Sequence, residues 1–175
     1  MARILIIYST TDGQTRKICS RLQEVIESLG QQATLCSITD CSSLDLRPFD
    51  KIVIGASIRY GKHSPLVTEF IERNKDILDS KPNAFFSVNV VARKPEKCRP
   101  GANPYLQKFL KRIAWRPREL AVIAGKIDYP SYSFLDRHMI RLIMWMTKGP
   151  TGPTAVIEYT DWRQVEEFGR LISTM

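Results

Sequence analysis

A loop rich in hydroxyl side chains is the first segment of this sequence that could bind a ligand. The loop follows an apolar run at residues 4–8 and leads into a helical pattern that ends near Gly30. Its members are Ser9, Thr10, Thr11, Asp12, Gly13, Gln14 and Thr15. Unpaired N–H groups and the positive end of the helix dipole favour an anion at such a helix start. Gly13 allows a positive φ or the close approach of a ligand to the backbone.

The pattern of this loop favours a phosphate that is held and not transferred. It matches neither the dinucleotide fingerprint GxGxxG nor the nucleotide-binding loop GxxxxGK[ST]. Hydroxyls without a lysine suit a monoester phosphate. The alternative interpretation is that the Ser and Thr side chains only cap the helix.

Two further loops follow apolar, strand-like runs and add groups of a different kind. One offers the aromatic ring of Tyr60 and the cation of Arg59, and the other offers backbone amides with Ser87 and Asn89. Ligands of an open α/β sheet bind beyond the carboxyl ends of the strands, where the strand order reverses, so we expect the three loops to meet. Together they suit a phosphorylated planar heterocycle. The predicted ligands in these two loops are Ser57, Ile58, Arg59, Tyr60, Gly61, Ser87, Val88, Asn89, Val90 and Ala92.

The elements that must position these loops are strands alternating with helices. Five apolar runs indicate strands that are buried on both faces of a parallel sheet. They cover residues 4–8, 33–38, 51–57, 84–90 and 120–125. One helix between them starts at Ser64-Pro65 and runs to about residue 78. The alternation predicts a doubly wound α/β sheet, and because no linker or repeat divides the chain, we expect a single domain over residues 1–175.

Residues 128–153 form an insertion after or within the fifth strand, with a helical core at residues 132–146. This helix is apolar over most of its circumference, and Arg137 and Arg141 lie on its narrow polar strip. One interpretation is a local element that covers a sheet edge or one side of the ligand site. The other is an amphipathic helix that lies among lipid headgroups. The predicted membrane contacts are Phe134, Met139, Leu142, Trp145 and Met146.

Composition and charge narrow the class of protein. The 175 residues are 43% hydrophobic and 25% charged, close to globular averages, and no apolar run reaches the ~20 residues that cross a bilayer. The net charge of +8 lies entirely in residues 93–118, where nine basic side chains face only one acidic residue, Glu96. Such a stretch attracts phosphates, carboxylates, nucleic acid or an acidic membrane, unless it is simply a solvated basic face.

Cysteine and histidine usage predicts no metal site. The four cysteines, Cys19, Cys36, Cys41 and Cys98, include no CxxC pair, and the chain has only two histidines. The N-terminus does not show the pattern of a signal peptide. We therefore expect reduced thiols.

The hydroxyl loop, STTDGQT at residues 9–15, resembles the phosphate loop of flavodoxins with one extra residue, and the other two loops follow in the flavodoxin order. This resemblance implies a flavodoxin-like α/β fold with a doubly wound, five-stranded parallel sheet in the order 2-1-3-4-5. It also implies FMN as the cofactor.

Longer segments are similar to the bacterial flavodoxin-type protoporphyrinogen oxidases, and the similarity covers nearly the whole chain, including the insertion. These segments include GASIRYG at 55–61, NVVARKPEK at 89–97, AVIAG at 121–125 and YTDW at 159–162. The resemblance implies the FMN-dependent, six-electron oxidation of protoporphyrinogen IX to protoporphyrin IX in haem biosynthesis, with electrons passed to menaquinone or ubiquinone. It also implies peripheral attachment to the cytoplasmic side of the bacterial inner membrane. Whether the chain forms a homo-oligomer is left open by the sequence.

The flavin would then carry the chemistry, so we predict no catalytic side chain. Arg59, Arg93 and Lys94 are the candidate contacts for the propionates of the substrate or for the anionic reduced flavin. The alternative is that these cations only face solvent.

Two other functions stay open at this point. A flavodoxin-like electron carrier without an organic substrate fits the loops, but carriers of that family are usually acidic and this chain carries +8. A nucleic-acid-binding module is suggested by basic residues interleaved with Tyr105, Phe109 and Trp115. Those aromatics fall at helix-core spacing and no DNA or RNA motif is present, so we expect no nucleic acid partner.

Overall fold

The structure, a computed structural model, describes residues 1–175. Its centre is a sheet of five parallel strands. The strands are β1 (Arg3–Ser9), β2 (Gln32–Ser37), β3 (Lys51–Arg59), β5 (Asn83–Asn89) and β6 (Glu119–Ala124), and a short strand β4 (Lys62–His63) lies outside this set. The order across the sheet is β2-β1-β3-β5-β6, and every neighbouring pair in this order is parallel. Counted along the chain, these five parallel strands follow the order 2-1-3-4-5. The predicted flavodoxin-like doubly wound fold is confirmed.

Helices cover both faces of the sheet, as buried parallel strands require. The helices are α1 (Gln14–Ser28), α2 (Pro65–Arg73), α3 (Lys75–Ser80), α4 (Pro104–Leu110), α5 (Phe134–Met146) and α6 (Trp162–Thr174). On one face, α1 and α6 bury Ile18 and Phe168 against strand residues such as Ile6. On the other face, α2 to α4 bury residues such as Val67 and Leu106.

The single helix predicted from Ser64 to residue 78 is two helices. They meet at Asn74, whose side-chain amide donates to the carbonyl of Phe70 at 2.9 Å. An asparagine that bonds the backbone in this way competes with the regular helical pattern. The chain therefore breaks between α2 and α3.

Strand β3 continues past the parallel sheet into a tight hairpin. Its last residues pair antiparallel with β4 (Lys62–His63), and the two-residue turn consists of Tyr60 with φ 50° and Gly61 with φ 75°. Two positive φ angles in succession are the mark of a type I′ turn, which matches the twist of paired strands. The segment predicted as a loop is thus a hairpin at the carboxyl edge of the sheet.

The insertion is held by its own two-stranded ribbon. β7 (Lys126–Asp128) pairs antiparallel with β8 (Val156–Glu158), and α5 lies between them in the chain. Ile127, Tyr129, Tyr132 and Met144 form a small separate core beneath α5. Neither α5 nor any other helix has the length and apolar character needed to cross a membrane.

Two of the four cysteines are joined, which corrects the expectation of reduced thiols. Cys36 lies near the end of β2, and the following turn returns Cys41 to a Cα–Cα distance of 6.1 Å, where the structure has a disulfide. Cys19 and Cys98 are free, and Cys19 is fully buried in α1. Burial also raises the pKa of Cys19.

Candidate functional site

A cavity of about 140 Å³ opens at the carboxyl edge of the sheet, where the three predicted loops meet the insertion. Twelve of the seventeen predicted ligands line it: Thr10, Asp12, Gln14, Thr15, Ser57, Ile58, Arg59, Tyr60, Gly61, Val88, Asn89 and Val90. This is the position that the switch-point rule assigns to a ligand, because the chain leaves β1 and β3 in opposite directions along the sheet.

The hydroxyl loop is folded around the start of α1. The Thr10 hydroxyl accepts the Gly13 N–H at 2.9 Å, and Gly13 has φ 91°, a conformation that suits glycine. Thr15 is fully buried, its hydroxyl has no hydrogen-bond partner, and it lines the cavity. Since buried hydroxyls are almost always bonded, this one fits a ligand oxygen at the helix N-terminus. The residues present therefore fit a phosphate group.

The second loop, residues 57–61, is called the aromatic loop after Tyr60. Its cation, Arg59, forms an ion pair with Asp12 of the hydroxyl loop. The Arg59 guanidinium donates to the Asp12 carboxylate at 2.6 Å and is only 19% exposed. It also lies 5.9 Å from the ring centre of Tyr60 and 5.4 Å from that of Tyr132. The Tyr60 hydroxyl donates to Asp136 in α5, so the hairpin and the insertion are linked across the cavity mouth.

The third loop, residues 87–92, is called the polar loop. A network of side-chain amides holds it in place. The Asn89 side-chain carbonyl accepts from the Ala92 N–H at 3.0 Å and from the Asn103 amide at 3.1 Å. The Asn89 amide nitrogen donates to the Ser87 hydroxyl at 3.2 Å, and that hydroxyl also bonds His63 Nε2 at 3.0 Å. Burial lowers the pKa of His63 to about 3, so its ring is neutral. This network sets the shape of the loop that faces the cavity.

Five predicted ligands do not line the cavity. Ser9, Ser87 and Ala92 are buried, whereas Thr11 and Gly13 are exposed. Arg93 and Lys94, predicted as anion contacts, do not line the cavity either. The Asn89 cap turns residues 90–93 into a short 3₁₀ helix. The Arg93 guanidinium consequently donates to the carbonyls of Val90 and Thr147, both at 3.0 Å, and ties this turn to the end of α5.

The insertion, for which the sequence allowed two interpretations, forms one wall of the cavity. Tyr132, Ile140, Ile143 and Met144 present apolar surface to it, with Ser131 and the Lys126–Asp128 ion pair at its edge. Further lining residues that sequence reasoning missed are Val91, Tyr105 and Gly125. The sequence indicated this wall only through the apolar residues that surround most of the predicted helix.

The outer face of α5 is exposed and mostly apolar, with the ring of His138 beside that of Phe134. Phe134 is 73% exposed and Trp145 71%, and Leu135, Met139, Leu142 and Met146 are also exposed. The two arginines of the helix face the other way: the Arg137 and Arg141 Nε atoms donate to the carbonyls of Tyr129 and Thr151 at 3.1 and 2.8 Å. All five residues predicted to contact a membrane lie on this exposed face.

The fold, the hydroxyl loop and the cavity between the three loops define a flavodoxin-type protein with a flavin cofactor. A family model described as a flavodoxin domain matches residues 5–154. A flavodoxin from the domain Archaea superposes with a TM-score of 0.54 at 14% identity, over 98% of this chain and 96% of that one. The rubredoxin oxygen:oxidoreductase of Desulfovibrio gigas gives a TM-score of 0.58 at 12% identity, over 98% of this chain and 35% of that one. These two likenesses show the fold.

Two relatives of known name are more similar in sequence. The protoporphyrinogen IX dehydrogenase [quinone] of Escherichia coli strain K12 is 46% identical, over 98% of this chain and 94% of the relative. The protein of the same name from Leishmania major is 38% identical, over 95% of this chain and 72% of the relative. The chain belongs to the flavodoxin domain family and, within it, to the family of these dehydrogenases.

Proposed function

We propose that this chain oxidises protoporphyrinogen IX to protoporphyrin IX and passes the electrons to a quinone. The observation that carries the proposal is the 46% identity, over 98% of the chain, to a dehydrogenase of that name. The reaction releases six electrons and six protons. A bound flavin accepts two electrons at a time, so each porphyrin formed requires three rounds of oxidation and the reduction of three quinones to quinols.

FMN is the flavin that the cavity supports best. The phosphate would lie at the start of α1, within reach of the unpaired Thr15 hydroxyl and the first N–H groups of the helix. The flat ring would lie between the Tyr60 hairpin and the loop at Asn89 and Val90.

The side chains around the cavity bind, orient and exclude water. None of the lining residues is a histidine, cysteine or glutamate, and the two aspartates are paired, Asp12 with Arg59 and Asp128 with Lys126. Burial raises the pKa of Tyr132, so its hydroxyl stays protonated. This donor set supports a division of labour in which the cofactor carries the redox chemistry and the protein supplies binding and electrostatics.

The test of this function is anaerobic turnover. Purified protein reconstituted with FMN receives protoporphyrinogen IX and a menaquinone or ubiquinone analogue, and porphyrin fluorescence is followed with time. We expect porphyrin only when protein, FMN and quinone are all present. Protein that binds FMN but forms no porphyrin, with liposomes supplied, would be an electron carrier instead.

We also propose that the protein works peripherally on the cytoplasmic side of the bacterial inner membrane, docked on the bilayer through α5. Quinones of respiration reside in lipid, and the outer face of α5 offers six apolar side chains. Lys148 follows the helix, and Lys94 adjoins Arg93, whose side chain bonds Thr147 at the same end. Cations near an anionic surface add about 1 kcal/mol each to such binding.

Flotation with anionic liposomes tests the membrane contact. Trp145→Glu should abolish flotation, because it puts a charge into the proposed contact at a side chain that is 71% exposed. Leu171→Glu, which alters a residue of α6 that is 40% exposed, should float like wild type. Protein that does not float and elutes as a dimer would instead show that a second copy covers α5.

A further inference from the structure

A second, larger groove adjoins the flavin cavity on the other side of the Tyr60 hairpin. Its volume is about 460 Å³, and it runs between β4, the start of α2 and the length of α4. Gly61 and Tyr105 line both spaces. A Cβ atom added to Gly61 would lie 3.5 Å from Cε1 of Tyr105, so this ring packs directly on the hairpin turn and forms the divide between them.

The groove carries unpaired positive charge. Lys62, Lys108 and Arg112 line it, all three are exposed, and none takes part in an ion pair. Glu69 is the one acidic residue of the lining. Pro65 and Thr68 belong to the first turn of α2, so the positive end of that helix dipole adds to the field.

The floor of the groove is aromatic and uncharged. Phe109 is buried, and the His63 ring lies against it with a centroid distance of 4.6 Å. The neutral state of His63 adds no charge of its own. An apolar floor with cations along the rim suits a flat, hydrophobic ligand that bears carboxylates at its edge.

We infer that this groove binds the propionate carboxylates of the tetrapyrrole, with Lys62, Lys108 and Arg112 as their partners. The inference deepens the proposed function and rests on it: the macrocycle would enter over Tyr105, with its oxidisable ring toward the flavin cavity. Arg112 can hold a carboxylate through two parallel hydrogen bonds, and the two lysines act as point charges. The cations predicted from sequence are less suited, since Arg59 is paired with Asp12, Arg93 bonds two carbonyls and Lys94 lines neither space.

The first test compares two double variants of equal charge. Lys108→Ala/Arg112→Ala empties the groove of two cations, whereas Arg99→Ala/Lys111→Ala removes two exposed cations of the same basic stretch that do not line it. We expect the groove variant to raise KM for protoporphyrinogen IX by about tenfold or more. Its kcat should stay within about twofold of wild type, since the groove holds the periphery of the substrate and not its reacting carbons.

Two results separate this role from a general loss of structure or of charge. FMN affinity should be unchanged in both variants, because neither alters the flavin cavity. The control variant should keep the wild-type KM. An equal rise of KM in both variants would mean that the charge acts only at long range, and would overturn the inference.

The second test does not depend on turnover. Binding of protoporphyrin IX and of its dimethyl ester is measured by fluorescence for wild type and for the groove variant. We expect wild type to prefer the diacid and the variant to lose that preference. If wild type turns over but binds diacid and ester equally, the groove assignment alone fails; if wild type forms no porphyrin, the proposed function fails and this inference with it.

Discussion

The Thr15→Val substitution should weaken FMN binding while leaving the fold intact. The Thr15 hydroxyl is buried, lines the flavin cavity and has no partner within the protein. A hydrogen bond to a charged group contributes about 1.5–3 kcal/mol. Its loss corresponds to a rise of about 10- to 150-fold in the Kd for FMN, at 1.4 kcal/mol for each factor of ten.

The same substitution should not weaken the protein without its cofactor. Valine has the shape of threonine and a similar helix propensity, and it removes a hydroxyl that pays a desolvation cost without a bond in return. We expect the free energy of unfolding of the apoprotein to stay equal or to rise by up to about 1 kcal/mol. The two effects therefore have opposite signs.

Titrations that follow the quenching of flavin fluorescence measure the first effect, and urea unfolding of the apoprotein measures the second. Riboflavin, which lacks the phosphate, should bind the variant as it binds wild type. Thr34→Val, at an exposed position of β2, should change neither quantity. An unchanged Kd for FMN, or an equal loss for FMN and riboflavin, would refute the contact between Thr15 and the phosphate.

Three further predictions concern the stability of the domain and the reactivity of its thiols. Gly55→Ala should lower the free energy of unfolding by about 1–3 kcal/mol in urea titrations, because the new Cβ would lie 2.2 Å from the Phe86 ring. Acid should destabilise the protein through His63, whose folded pKa of about 3 lies below its value of about 6.5 in the unfolded chain. That contribution is complete above pH 6.5 and falls by about 1.4 kcal/mol per pH unit below it. In native protein, a thiol reagent should modify Cys98 alone, and in denaturant Cys19 as well.

Each of these predictions has a matched control. Gly152→Ala should be neutral, since its Cβ would meet nothing closer than Ala155 at 3.9 Å. His63→Gln should flatten the loss of stability between pH 6.5 and pH 5; an unchanged slope would assign that loss to the carboxylates. Four reactive thiols in denaturant without a reductant would show that Cys36 and Cys41 are not joined.

The sheet and the hydroxyl loop could be predicted from the sequence because local patterns fix them. Continuous β-branched runs mark strands buried on both faces, and the structure starts and ends most of them within a residue or two of the predicted bounds. The loop after β1 could also be predicted, because glycine and hydroxyl residues before a helix favour the binding of an anion at the helix N-terminus. The resemblance to flavodoxins then supplied the strand order.

The hairpin and the fate of the basic stretch could not be predicted, because both depend on tertiary contacts. A positive φ at Tyr60 runs against the preference of an aromatic residue, and it is stabilised by the β3–β4 pairing and the link to Asp136. The basic stretch looks like one charged face in the sequence. In the structure Arg93 bonds the end of α5, Arg116 bonds the carbonyls of Ile113 and Trp115, and Lys108 and Arg112 line the groove.

The way the insertion is attached has a consequence for how such a protein can evolve. The Tyr159 N–H donates to the carbonyl of Gly125 at 3.0 Å, so the insertion begins and ends at adjacent points just after β6, before the chain enters α6. An insertion anchored in this manner can be lengthened, shortened or exchanged without changing the order of the strands that carry the phosphate loop. A change in the insertion can therefore alter one wall of the cavity while the loops that follow β1, β3 and β5 stay as they are.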